Sequence, residues 1–153
     1  MRLILMRHGE TLWNAEMRLQ GQDNSRLSER GIEQARRFEA YLRVLQPFRV
    51  VSSDLGRTRQ TAEIVGFGDC PADPLLRELH MGAWTGLTKT ELIASQPENY
   101  HAWRAGAFTP EGGETWVEFR TRVSDRPRPW LGCGKGDLPA LVRGGVSRAA
   151  LDA

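Results

Sequence analysis

His8 follows a four-residue apolar run, residues 3–6, with Arg7 before it and Gly9 after it. A neutral imidazole nitrogen is a capable nucleophile toward phosphorus. Arg7 offers a planar fork of donors that matches phosphoryl oxygens, and Gly9 lets the backbone turn closely around a ligand. Arg57 arrives from a second segment of similar pattern. Two guanidiniums beside one imidazole form an anion pocket, and their like-charge repulsion disfavours imidazolium, leaving a ring nitrogen free to attack phosphorus. A blander reading competes: Arg7 and Arg57 as surface residues paired to Glu10 and Asp54, with His8 structural.

Placing these side chains in one pocket needs particular elements. Residues 3–6 read as a strand buried on both faces, with Arg7 to Thr11 as its exit loop. Ser28 then precedes Ile32, Ala35, Phe38, Leu42 and Leu45 at steps of three or four, closed by Pro47, which predicts an amphipathic helix with a serine cap. Residues 48–51 form a second apolar segment that empties into Ser52-Ser53-Asp54-Leu55-Gly56-Arg57, ahead of a helical stretch with Thr61, Ala62, Ile64 and Val65. Strand, polar turn, helix thus occurs twice. That predicts an α/β fold, a largely parallel central sheet covered by helices on both faces. Ligands in such sheets gather beyond the carboxyl ends of the strands, so both polar clusters would open on one mouth.

Residues 66–86 carry repeated Gly and Pro and read as an irregular connection. Short helices are expected over 88–95 and 97–105, the second with proline at its first position. A further helix is expected over 114–125, with Trp116, Phe119 and Val123 on one face, and a third strand over 138–142. Nothing in repeats or composition divides the chain, so residues 1–153 are expected to form a single domain, with 130–153 its atypical part.

Composition narrows the class. The net charge is +2, with 21 basic residues against 19 acidic ones. Only two of the basic residues are lysine, but with so little net charge and no basic stripe, nucleic acid is not an expected partner. Cys70 and Cys133 are far apart and belong to no C-x-x-C pair, so neither a disulfide framework nor a zinc site is suggested, which fits a reducing, cytoplasmic setting. The opening apolar run, bounded by Arg2 and Arg7, is too short for a signal peptide or a membrane span.

The run Arg7-His8-Gly9-Glu10-Thr11, with Asn14 and Gln20-Gly21, resembles the signature of the histidine phosphatase superfamily, the phosphoglycerate mutase-like family. The likeness continues through Leu27-Ser28, Gly31 and Gln34-Ala35, Ser52-Ser53-Asp54-Leu55 with Arg57-Thr58, Gln60-Thr61-Ala62, Arg77-Glu78-Leu79, Gly82, Trp84 and Gly86, and Gly112-Gly113-Glu114-Thr115, covering residues 1 to about 124. It implies a three-layer α/β/α sandwich and a reaction through phosphohistidine on His8. Arg7, Arg57 and Asn14 would hold the phosphoryl group and Glu78 would donate the proton. Gln20 and Gly21 would contact the substrate. No metal or other cofactor is implied, since the arginines supply the positive charge. The residues alone leave a second reading of Glu78, an ion pair with Arg77. His80 is a candidate for the substrate side, His101 reads as a surface residue, and Trp84, Trp103 and Trp116 read as packing.

The resemblance departs at Leu141-Val142-Arg143-Gly144-Gly145, where the family carries a second active-site histidine and this chain carries Arg143. Arg143 would still bind phosphate, and Gly144 would lie on the substrate side, but a displaced donor of this kind costs about 10²–10³ in rate. Pro139 falls within the expected third strand, where proline removes a ladder hydrogen bond. The chain is also shorter at its C-terminal end than the pattern implies, and a sheet edge left uncovered there would favour a homodimer. The leading expectation is a phosphatase acting on a small phosphorylated metabolite. The alternatives are a catalytically silent phosphate-binding domain and a phosphoglycerate mutase-type phosphotransferase.

Overall fold

A computed structural model describes residues 4–47, 49–124 and the backbone of 140–142. Arg143, Gly144, Pro139, Cys133 and Phe48 lie outside the described residues, as do the expectations placed on them.

Among the described residues three short strands form the sheet: β1 (Ile4–Met6), β2 (Val50–Ser52) and β3 (Ala140–Val142). All pairings are parallel, in the order β1-β3-β2. The last of the described strands thus inserts between the first two, so the β1-to-β2 connection crosses over a neighbour rather than joining adjacent strands. Met6 and Ser52 both register with Val142, which sets the three carboxyl ends side by side. Arg7 and His8 leave the sheet at that level, as do Ser53 and Asp54.

Helix α1 (Leu12–Ala15) follows the exit loop, in a stretch to which the sequence reading assigns no element. Its four residues are too few to show a period; a capping box between Thr11 and Asn14 makes the turn. Helix α2 (Glu29–Leu45) starts at the Ser28 cap and ends at Gln46 in the left-handed region, one residue before Pro47. Gly31, Ala35 and Leu42 are its buried stripe, whereas Phe38, expected inside, is half-exposed and lies edge-on to Tyr41. Helix α3 (Gly56–Ile64) follows β2 and buries Arg57, Thr58, Thr61 and Ala62. Met6, Ala35, Leu42, Val50, Ala62 and Val65 form the core that joins sheet, α2 and α3.

The 66–86 connection is less irregular than its composition suggests. It contains 3-10 turns at Pro74–Leu76 and Gly82–Trp84, the first started by Pro74 and by the Asp73 carboxylate accepting from the Leu75 N–H. Helices α4 (Lys89–Ser95), α5 (Pro97–Arg104) and α6 (Trp116–Ser124) follow. Helix α6 begins later than residue 114 because Thr115 and Glu118 exchange the hydrogen bonds of a capping box ahead of its first turn. These helices share a second core of Leu79, Met81, Trp84, Leu92, Tyr100, Phe119 and Val123. Each such side chain removed from water stabilises the fold by roughly 1.5–3 kcal/mol, so this wall beside the sheet is a packed body rather than a loose flap. Among the described residues no helix is long and apolar enough to cross a membrane.

Candidate active site

A cavity of about 600 Å³ opens beyond the carboxyl ends of the strands. His8, Arg7, Asn14, Gln20, Gly21, Arg57 and Glu78 all line it, so residues far apart in sequence share one wall. His8 is buried, and its Nδ1 lies 2.7 Å from the Gly9 carbonyl oxygen. A carbonyl can only accept, so Nδ1 must carry the proton and Nε2 must carry the lone pair. The Arg57 Nε–H points at that Nε2 from 3.2 Å, which agrees with the same tautomer. The His8 pKa is lowered to about 4. Burial is the largest cause, the Gly9 hydrogen bond opposes it, and repulsion from Arg57 and Arg7 adds to it. The sequence reading credited the two cations; desolvation outweighs them.

Arg57 is 2% exposed and tightly held. Its Nη1 donates to Asp23 O at 2.6 Å and its Nη2 to Gly21 O at 2.8 Å. Burial lowers its pKa, and the Glu78 carboxylate in the same cavity opposes that shift without reversing it. The bland pairing of the arginines is not what forms. Asp54 is taken by Arg77 through two bonds of 2.8 and 2.5 Å, and Glu10 bonds Ser28 and faces Arg30. With Arg77 engaged on Asp54, the ion pair proposed for Glu78 does not form either; one Glu78 oxygen accepts from the Leu79 N–H at 2.8 Å.

The loop that carries His8 is pinned from three sides. Gly9 N–H donates to Thr61 Oγ1, Glu10 N–H to Gln34 Oε1, and the Ser28 N–H to Glu10 O. A Cβ at Gly9 would collide with the Gly31 carbonyl oxygen, and one at Gly31 with Glu10 O. Gly9 is therefore required by its approach to helix α2, not by the ligand side as the sequence suggested. Asn14 Oδ1 accepts from the Thr11 N–H, which orients the amide and leaves Nδ2 as its free donor. Gln20 Nε2 donates to Thr11 Oγ1 at 2.7 Å, while Gln20 Oε1 is buried with no partner among the described residues. Turning that amide over lets Oε1 accept the Thr11 hydroxyl proton and places the Nε2 donor at the buried position.

Several lining residues carried no signal in the sequence: Met17, Arg18, Lys89 and Arg104 reach the cavity from α5 and from the segments around 17–19 and 86–89, which run beside each other. Trp103 and Trp116 pack against the second core, as expected, and also face the cavity. His80 does not line it; it is exposed and its Nδ1 accepts from Gly82 N–H. His101 is exposed, in line with the sequence reading.

Comparison with known proteins gives the family. The profile described as "Histidine phosphatase superfamily (branch 1)" matches residues 3–143. The chain is 38% identical over 160 residues to a probable phosphoglycerate mutase GpmB of Escherichia fergusonii, covering 99% of this chain and 73% of that protein. It is 39% identical over 169 residues to a glucosyl-3-phosphoglycerate phosphatase of Mycolicibacterium vanbaalenii, covering 99% and 72%. Among solved structures, a mycobacterial glucosyl-3-phosphoglycerate phosphatase complexed with VO3 superposes with a TM-score of 0.89 at 35% identity, over 98% of this chain and 79% of the other. The protein TTHB049 of Thermus thermophilus superposes with a TM-score of 0.80 at 40% identity, over 100% and 84%. The chain belongs to the histidine phosphatase superfamily (branch 1), with phosphatases and phosphoglycerate mutase-like proteins among its relatives.

Proposed function

We propose that this chain hydrolyses a small phosphomonoester through a phosphohistidine on His8, without a metal ion. The observation that carries the reading is the His8 imidazole itself, locked by Gly9 O in the tautomer that leaves Nε2 unprotonated, beside Arg57 and in one cavity with Glu78. His8 Nε2 attacks phosphorus as the bond from phosphorus to the leaving oxygen breaks, and Glu78 gives its proton to that oxygen. Water then attacks the phosphohistidine, Glu78 takes a proton from it, and the Nε2–phosphorus bond breaks to release inorganic phosphate and neutral His8. Arg7, Arg57 and the Asn14 Nδ2 donor hold the phosphoryl oxygens, where charge spreads in the transition state. Gln20 and Gly21 line the substrate side.

The relatives' names, glucosyl-3-phosphoglycerate phosphatase and phosphoglycerate mutase, support a small phosphorylated metabolite as substrate. The same reading takes residues 1–153 as one domain of three α/β/α layers working in the cytoplasm, with neither nucleic acid nor membrane as partner and with self-association through an uncovered edge. Arg143 favours a second reading. Standing where the family has a histidine, it would bind ground-state phosphate while fitting the transition state poorly, giving a silent phosphate-binding domain.

The experiment is steady-state phosphate release from an aryl phosphate without added metal, for the parent, His8→Ala and Arg143→His. Turnover by the parent that His8→Ala abolishes supports the hydrolase. Turnover by Arg143→His alone supports the silent domain, and turnover that survives His8→Ala contradicts both.

A further inference from the structure

Glu78 sits in a connection rather than on a helix or strand, yet its proposed task demands fixed geometry, and the side chain that fixes it comes from α6. Arg122 spends all five of its N–H donors there. Its Nε and Nη2 donate to the two Glu114 oxygens, each at 2.7 Å. Its Nη1 donates to Leu75 O at 2.7 Å and Arg77 O at 2.9 Å, and Nη2 reaches Glu78 O at 3.4 Å. The guanidinium also lies over the Phe119 ring, 5.2 Å from its centroid, and Phe119 is fully buried. Glu114 closes the other side: its Oε2 accepts from the His80 N–H at 3.3 Å and its own N–H donates to His80 O at 2.9 Å. The backbone on both sides of Glu78 is thus tied to one part-buried ion pair, with side chains only 16% and 14% exposed. Gln22 Nε2 adds a bond to Glu78 O at 3.2 Å.

We propose that Arg122, held by Glu114, is a positioning residue for the Glu78 carboxyl, clamping residues 75–80 so that the proton donor meets the leaving oxygen. The proposal rests on the proton-donor reading of Glu78. A lysine cannot replace the clamp, because three donors on one nitrogen cannot span a carboxylate and three carbonyls.

The test compares kcat/KM of the parent, Glu78→Gln, Arg122→Lys and Glu114→Gln on an alkyl phosphate and on dinitrophenyl phosphate. The first needs its leaving oxygen protonated; the second leaves as a stable anion. A misplacement of about an ångström costs about 10²-fold, so Arg122→Lys and Glu114→Gln are expected to lose about that much on the alkyl phosphate and about tenfold less on the aryl one. Hydrogen exchange at the Leu79 and His80 amides, which requires no turnover, is expected to speed up in both variants while α2 amides keep the parent's rates. Selective loss in Glu78→Gln without it in Arg122→Lys and Glu114→Gln overturns the clamp, as does unchanged exchange at residues 75–80. Equal loss on both substrates in Glu78→Gln instead overturns the proton-donor reading, and the exchange rates still judge the clamp.

Discussion

Lowering the pH from 7 to 4 should destabilise this fold through His8 in a calculable way. The folded protein holds the His8 pKa at about 4, against 6.5 for the free side chain. The unfolded chain therefore takes up a proton as the pH drops through 6.5, while the folded chain refuses it until about 4. A depressed pKa contributes stability that is full above 6.5, is lost between 6.5 and 4, and is flat below. The gap of about 2.5 units, at 1.36 kcal/mol each, is worth about 3 kcal/mol, of which about 2 kcal/mol is gone by pH 5. Urea unfolding of the parent and of His8→Asn at several pH values isolates this term, because other titrating groups are common to both. The parent's stability should fall about 2 kcal/mol more steeply than the variant's between pH 7 and pH 5. Parallel profiles, or titration near 6.5 of the imidazole resonance that His8→Asn removes, would refute the argument that burial and the two arginines keep His8 neutral.

Other expectations follow from individual contacts. Arg57→Lys keeps the charge but loses the fork bonded to His8, Asp23 O and Gly21 O, and should lower kcat on an aryl phosphate by about 10²–10³. Asp54→Asn breaks the half-exposed pair with Arg77 and should change urea stability by less than about 1 kcal/mol. Phe119→Ala, in the fully buried centre of the second core, should cost about 3–5 kcal/mol in the same measurement. Gly9→Ala drives a methyl into the Gly31 carbonyl and should cost about 1–3 kcal/mol, with weaker binding of inorganic phosphate by calorimetry because the His8 loop must shift.

Where local chemistry announces an element, the sequence was readable. Ser28, the apolar steps to Leu42 and Pro47 delimit α2 because capping and proline act within a few residues. The apolar runs before Arg7 and Ser52 mark strands whose exits carry the site. Short turns escape such reading: α1 depends on a two-residue exchange between Thr11 and Asn14, and the 3-10 turns on Asp73 and Pro74 inside a Gly- and Pro-rich stretch. That His8, Arg7 and Arg57 would share one cavity was legible from residue types, while Asn14, Gln20, Gly21 and Glu78 came only through family resemblance. Lys89, Arg104 and the second role of Trp103 and Trp116 were not legible, since long-range packing brings α4, α5 and α6 to the cavity. The partner of Arg77 was also hidden. Adjacent charges suggested Glu78, but the fold presents Asp54 to it with two well-aligned bonds.

The most direct test of the account is trapping the intermediate. Rapid mixing with substrate, denaturing quench at alkaline pH and peptide mass analysis should find a phosphoryl group on the peptide bearing His8, acid-labile and absent in His8→Ala. Phosphate release by the parent with that peptide unmodified, or with the phosphoryl group on another residue, would contradict it.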